Sequence, residues 1–233
     1  MRSNRYVLTF MSVITIVLGI LLSVAATALK DIQERNVQID MKKNILRSMQ
    51  IPADRTKKLS PNEIETLYNQ YIKEIFVNKE GNDVSEGGHP VFVKMVDGVA
   101  DGYAIPISGK GLWSTIYGYM AIEPDGATVK GVTFYKHGET PGLGGEIEKE
   151  WFTANFIGKK IVTPDGKPCS VEVYKGKVHP GNPKEYCLVD GISGATMTGK
   201  GVTLFIKKDL EIYGGFFGKL RQSYQGGGVK YGA

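Results

Sequence analysis

Asp190-Gly-Ile-Ser-Gly-Ala-Thr-Met-Thr198-Gly-Lys200-Gly201 leads from a run of small residues into an apolar segment, and three architectures compete for it. As a P-loop, Gly194-x-x-x-x-Gly199-Lys200 matches most of G-x-x-x-x-G-K-[ST] and would imply a nucleotide-binding α/β unit. The match fails at Gly201, which has no hydroxyl to offer Mg²⁺, and no βαβ organisation follows. As a plain turn, the Ser and Thr hydroxyls would cap the free N–H groups of a helix beginning near residue 199. Lys200 fits that poorly, because a cation in the first turn opposes the helix macrodipole. As an anion site, the same helix start directs N–H donors at a phosphate. A phosphate carried at Thr198 would turn Lys200 from a misfit into a partner.

Outward from this segment the pattern predicts one α+β domain. Stretches near 90–96, 102–107, 113–123 and 127–136 are rich in Val, Ile, Tyr and Phe, with Asp-Gly and Gly-rich turns at 97–98, 101–102, 109–111 and 125–126. Further elements are a helix near 146–157 anchored by Trp151, Phe152 and Phe156, a strand near 170–175 and a last helix over 199–213. A glycine-rich tail closes the chain. Ser60-Pro61-Asn62-Glu63 reads as a capping box with proline at the first helical position, opening a helix that places Ile64, Leu67, Tyr71 and Ile75 on one face. The order suggests a mainly antiparallel sheet flanked by helices.

Two other stretches bear on chemistry. In His137-Gly-Glu-Thr-Pro-Gly-Leu-Gly-Gly145, glycines allow close backbone approach, Leu143 offers an apolar face, and Glu139 and Thr140 offer hydrogen-bonding groups. Taken alone it is a turn between a strand and a helix. Gly111-Leu-Trp113-Ser114-Thr115-Ile-Tyr117-Gly-Tyr119 is aromatic-rich, and aromatics on a strand are ordinarily core.

DGISGATMT resembles the flavinylation motif of the FMN-binding domain family, whose final Thr accepts FMN from FAD through a separate Mg²⁺-dependent flavin transferase. The resemblance implies FMN held covalently by a phosphoester on Thr198. Asp190, Gly191, Ser193, Gly194, Ala195 and Thr196 would form its recognition context, with Lys200 beside the phosphate. Residues 137–145 resemble the E-T-P-G-L-G loop of the same family, which implies Glu139, Thr140, Gly142 and Leu143 against the isoalloxazine ring. Residues 111–119 resemble one branch of the family, the NqrC subunits of the Na⁺-translocating NADH:quinone oxidoreductases, and add Trp113 and Ser114 to the cofactor residues. The alternative branch is RnfG, the corresponding subunit of the Rnf ferredoxin:NAD⁺ complexes. Either implies an electron carrier with no catalytic residues or metal of its own. For the NqrC branch, electrons would arrive from a membrane iron–sulfur centre and leave to a second covalent flavin. The implied partners are the other subunits of a redox-driven sodium pump. No G-x-G-x-x-G follows a predicted strand, so NADH should bind elsewhere.

The N-terminus reads as a membrane anchor. No charge occurs between Arg5 and Lys30, a run longer than the roughly 20 helical residues that span a bilayer core. Arg2 and Arg5 precede it, which predicts an N-terminus facing inward and residues 30–233 facing out; the family resemblance implies the bacterial inner membrane and a periplasmic remainder. A cleaved signal peptide is the rival, since Ala26-Thr27-Ala28 resembles a cleavage site, but signal h-regions are shorter. Ile32, Val37, Met41, Ile45 and Met49 continue a helical period as a stalk, followed by a polar loop at 50–59. The expected partition is therefore an anchor over 1–29, a stalk helix and loop over 30–59, and an extracytoplasmic FMN domain over 60–233.

The net charge of +5 comes from scattered, largely balanced Lys and Arg, without the basic, aromatic-interleaved stripe that nucleic acid requires. Two cysteines, Cys169 and Cys187, could pair outside the cytoplasm, but sequence does not fix their separation. His89, His137 and His179 are widely spaced and read as surface residues rather than ligands.

Overall fold

A computed structural model describes residues 4–52 and 58–225. Its first element, α1 (Asn4–Ser48), is one continuous helix of 45 residues. At 1.5 Å per residue it is about 68 Å long, and its N-terminal part is long and apolar enough to cross a membrane. Residues up to Met41 form one compact unit and those from Lys42 onward a second. In the first unit the large apolar side chains from Tyr6 to Leu29 are exposed, as a lipid-facing surface would be.

The second unit is built on a five-stranded antiparallel meander in the order β1-β2-β3-β4-β5. The strands are β1 (Ile72–Val77), β2 (His89–Val96), β3 (Val99–Lys110), β4 (Thr115–Ile122) and β5 (Val129–Lys136). Strand alternation gives each face its own apolar set. On one, Tyr103, Ile105, Ile107, Ile116, Met120, Val132 and Phe134 meet the two C-terminal helices, α4 (Thr196–Ile212) and α5 (Gly214–Gln225). Aromatic pairs mark the seam, Phe134 with Phe205 at 6.4 Å and Tyr103 with Phe216 at 5.4 Å between ring centroids. On the opposite face Tyr119 stacks on Tyr135 and meets Phe92 edge-on. There the final turn of α1 lies against the sheet, with Ile45, Leu46 and Met49 buried and the Asn44 carbonyl accepting from Thr133 Oγ1 at 3.3 Å.

The helix at Ser60 begins as its sequence predicts. In α2 (Pro61–Tyr71), Ser60 Oγ accepts from the Glu63 amide at 3.3 Å while the Glu63 carboxylate accepts from the Ser60 amide at 2.8 Å. It stops one turn earlier than expected, however, and Ile75 lies in β1, where Ile72, Ile75, Phe76 and Val77 are β-branched or aromatic and the strand pairs with β2. Asp101-Gly102 is not a turn but the interior of β3, where a register shift between Lys94 and Met95 accommodates Gly102 at φ +151°.

The expected helix over 146–157 is broken into a 3-10 turn (Gly144–Glu148), a single α-turn, α3 (Glu150–Thr153), and a second 3-10 turn (Ala154–Phe156). These short turns still bury Ile147, Phe152 and Phe156 completely, whereas Trp151 points outward. The strand near 170–175 shrinks to β6 (Glu172–Val173), paired in parallel with β7 (Leu188–Val189). The glycines at 214–218 do not begin a loose tail. They open α5, which buries Phe216, Phe217 and Leu220; residues 226–233, and 53–57 of the expected polar loop, lie outside the described residues.

Candidate functional site

The motif segment and the Pro-Gly loop meet at a hydrogen bond across 59 residues: Thr198 Oγ1 donates to Glu139 Oε2 at 2.6 Å. Both side chains are buried, Thr198 to 1% and Glu139 to 5% exposure. A carboxylate out of water must be paired or hydrogen-bonded, and Glu139 is supplied from a third segment. Its oxygens accept from the amides of Leu112 at 3.2 Å, Trp113 at 2.9 Å and Ser114 at 3.3 Å. Burial pushes its carboxyl pKa up, but these bonds, led by that from Thr198, outweigh burial and hold it below the usual carboxylate range.

Local conformation explains how the three segments converge. After β5, Gly142 takes φ +74° and the Thr140 carbonyl accepts from the amides of Leu143 and Gly145 at 3.1 and 2.9 Å, so the chain turns back beneath Glu139. Gly144 is needed for space: a Cβ there would lie 2.5 Å from Thr198 Oγ1. Between β3 and β4, Ser114 Oγ accepts from the Gly138 amide and ties the 111–114 loop to the 137–139 segment. Trp113 and Ser114 therefore stand in this loop rather than on β4.

Helix α4 begins at Thr196, three residues before the expected start. Thr198 is consequently within its first turn, facing inward. Ala195 is buried behind it, while Ser193, Gly194 and Thr196 are exposed around it. Lys200 is also exposed; two positions from Thr198 on a helix, it projects from a different face, and the structure does not bring the two side chains together. Thr140 is exposed beside Leu143. Asp190 and Gly191 serve the preceding loop: Asp190 Oδ1 accepts from the Val178 amide at 2.8 Å and the Gly191 amide donates to the Gly176 carbonyl at 2.8 Å.

Among these exposed polar groups, large apolar side chains also stand exposed around the Thr198–Glu139 pair. Trp113 is 70% exposed, Met197 54%, and Leu112 and Leu143 43% each. Large apolar side chains gathered at one exposed place mark a binding surface. Leu112 and Met197 are additions to the residues singled out from sequence. Both lie within the quoted segments, where their sequence signal is only that each directly neighbours a residue singled out there.

His137 differs from expectation. Its side chain is 11% exposed, and Nε2 lies 3.5 Å from Glu148 Oε2. Nδ1 accepts from the Glu139 amide at 3.3 Å, so the ring braces the Glu139 backbone. His89, half-buried, packs edge-on against Tyr213, and His179 is exposed. Cys169 and Cys187 are free thiols.

Comparison with known proteins agrees with this geometry. The FMN-binding domain family model matches residues 111–211, which contain all three converging segments. The NqrC polypeptide of the Na(+)-translocating NADH-quinone reductase from Vibrio campbellii is 32% identical, over 81% of this chain and 84% of its own length. Its counterpart from Pseudomonas aeruginosa is 31% identical, over 82% and 85%. A crystal structure of the Parabacteroides distasonis counterpart superimposes with a TM-score of 0.70 at 37% identity, covering 81% of this chain and 96% of that one. NqrC of Shewanella oneidensis gives 0.66 at 29% identity, covering 78% and 98%. By these relationships and its five-stranded α+β fold, the chain belongs to the NqrC family of the Na⁺-translocating NADH-quinone reductases.

Proposed function

We propose that this chain is an electron-carrying subunit of a Na⁺-translocating NADH-quinone reductase, relaying electrons through an FMN esterified by its phosphate to Thr198. The observation that carries the proposal is a single buried hydroxyl, in the first turn of α4, bordered by the exposed apolar side chains of Leu112, Trp113, Leu143 and Met197. The N-terminus of α4 turns free N–H groups toward a phosphate placed there. Trp113, Leu112, Leu143 and Met197 would cover the flavin ring and keep water from part of it, and Glu139, Thr140 and Ser114 would present polar groups to its edge. Bound flavin supplies reversible electron transfer; the protein's contribution is position, exclusion of water and the local charge that tunes potential.

The N-terminal part of α1 would anchor the chain once in the bacterial inner membrane, with the N-terminus inside and the flavin domain in the periplasm. On this reading residues 1–29 are the anchor, 30–59 the stalk and loop, and 60–233 the flavin domain. NADH is oxidised at another subunit, and the partners are the remaining subunits of the sodium pump, with a flavin transferase acting during maturation. A covalent ester suits that compartment, where a dissociated cofactor would be lost. Mass spectrometry of the peptide containing Thr198, from protein co-expressed with a flavin transferase, is expected to show one FMN adduct on that residue. An unmodified peptide, or an adduct on another residue, would overturn the proposal.

A further inference from the structure

An electron carrier has no need of a base, yet the hydroxyl of Thr198 is bound at 2.6 Å by a buried carboxylate. This contact can exist only in the unmodified chain. Once the oxygen carries phosphorus its hydrogen is gone, and of these four bonds Glu139 keeps those from the amides of Leu112, Trp113 and Ser114. The hydrogen bond therefore serves the step that consumes it. A threonine hydroxyl is a weak nucleophile at neutral pH and is activated by an adjacent base, and a base must lie within about 2.6–3.2 Å of the proton's owner. Oε2 of Glu139 meets that condition. Gly144 keeps the place open, since a Cβ there would lie 2.5 Å from Thr198 Oγ1 and 3.0 Å from Glu139 Oε2.

Resting on the reading that Thr198 is the esterified residue, we propose that Glu139 is the proton acceptor in its own chain's flavinylation. Thr198 Oγ1 forms a bond to the flavin-side phosphorus of a flavin dinucleotide, and the P–O bond of the pyrophosphate breaks. The nucleoside monophosphate leaves with that electron pair, and the hydroxyl proton passes to Glu139 Oε2. No oxidant or reductant is involved. The target protein thus contributes a catalytic residue that the modifying enzyme need not supply. Ser60 and Thr128 also donate to carboxylates, but neither pair is buried as Thr198 and Glu139 are. Four hydrogen bonds make Glu139 a weak base, which sets its contribution at the lower end of general-base catalysis, about 100-fold.

The test uses the full chain purified without flavin, together with a flavin transferase, Mg²⁺ and flavin adenine dinucleotide, reading the adduct mass on the Thr198 peptide against time. Glu139→Ala is expected to lower kcat for adduct formation about 100-fold with KM for the acceptor chain unchanged. Added formate, a carboxylate small enough for the vacated space, should restore part of the rate. Glu139→Gln fills that space with an amide and is expected to be as slow, without rescue by formate. A wild-type rate in either folded variant overturns the inference, as does a loss that lies in KM and ignores formate. Should Glu139→Ala not fold, Glu139→Gln alone decides, wild-type kcat again overturning the inference. Failure of the wild-type chain to acquire an adduct at Thr198 would instead refute the underlying reading.

Discussion

Gly201 of α4 rests on the end of β3: a Cβ at Gly201 would come within 2.4 Å of the Lys110 carbonyl oxygen and 3.1 Å of Gly111 Cα. No side chain but hydrogen permits this approach, and it seats α4 so that Thr198, three residues earlier, faces Glu139. Gly201→Ala should therefore push helix and strand apart. Overpacking against backbone costs about 1–3 kcal/mol, to be read as a lower midpoint in chemical denaturation of the detergent-solubilised chain. Gly199→Ala is the comparison: its Cβ would meet a side chain rather than backbone, Val173 at 2.9 Å, and the helix gains about 0.5–1 kcal/mol from losing a glycine, so its loss should be the smaller. Equal stabilities of the two variants would contradict the proposed role of Gly201.

Thr198→Val removes the acceptor oxygen and keeps the shape. In-gel flavin fluorescence should vanish after co-expression with the transferase, while the fold loses only one hydrogen bond to a charged group, about 1.5–3 kcal/mol. Thr198→Ser retains the hydroxyl and should remain fluorescent. Fluorescence persisting in Thr198→Val would place the attachment elsewhere.

Stability should also depend on acid through Asp101 of β3. Its carboxylate lies 2.6 Å from Lys94 Nζ and 3.2 Å from Lys130 Nζ, with Lys130 also held by Glu123 at 2.9 Å. Burial pushes the Asp101 pKa up, but hydrogen bonds and charge from the two lysines outweigh it and hold it below the ordinary value. A folded-state pKa below the unfolded one contributes stability above the unfolded value, about 3.9. That contribution is lost as pH falls through the folded value. Because Asp101 is partly exposed the effect should be below about 1 kcal/mol and weaken with salt. Melting temperatures measured against pH should fall less steeply in acid for Asp101→Asn than for wild type; superimposable profiles would remove Asp101 from the account.

Cys169 should resist alkylation. Burial, followed by the neighbouring Cys187 thiol, pushes its pKa up to about 11, and Cys187 is raised chiefly by burial. The thiolate is the nucleophile, so at neutral pH iodoacetamide should label both residues slowly in the folded protein and rapidly in denaturant. Rapid labelling of the native chain would show that the thiols are more exposed or more acidic than their packing implies.

Much of this was written locally in the chain. The uncharged run after Arg5, the capping box at Ser60 and the alternation in β2 to β5 depend on neighbours a few residues apart, so four strands of the sheet and the apolar helix could be read directly, whereas β1 could not. Thr198 could be singled out because DGISGATMT resembles a flavinylation motif ending in that residue, a resemblance that a helix start suits, since it favours a phosphate. Glu139 was visible as a polar group in a Pro-Gly loop, but its partner lies 59 residues away, and the amides that complete its shell belong to a third segment. Lys200 was inferred from its sign relative to the helix dipole, an argument about the axis of α4 that ignores which face a side chain takes. The 146–157 helix failed because its aromatic spacing is satisfied equally by short turns that follow the sheet.

What the sequence alone determined is the inventory: an apolar N-terminal helix, an antiparallel sheet and, through the resemblance of contiguous motifs, the FMN-binding family. Each depends on periodicity or on residues contiguous in the chain. Tertiary structure alone decided that α4 begins at Thr196, that the glycines after Tyr213 open a packed helix, and that a buried carboxylate meets the Thr198 hydroxyl. Those outcomes depend on apolar burial and hydrogen bonding between distant segments, which overrides local propensity wherever a helix end or a loop must fit against the sheet.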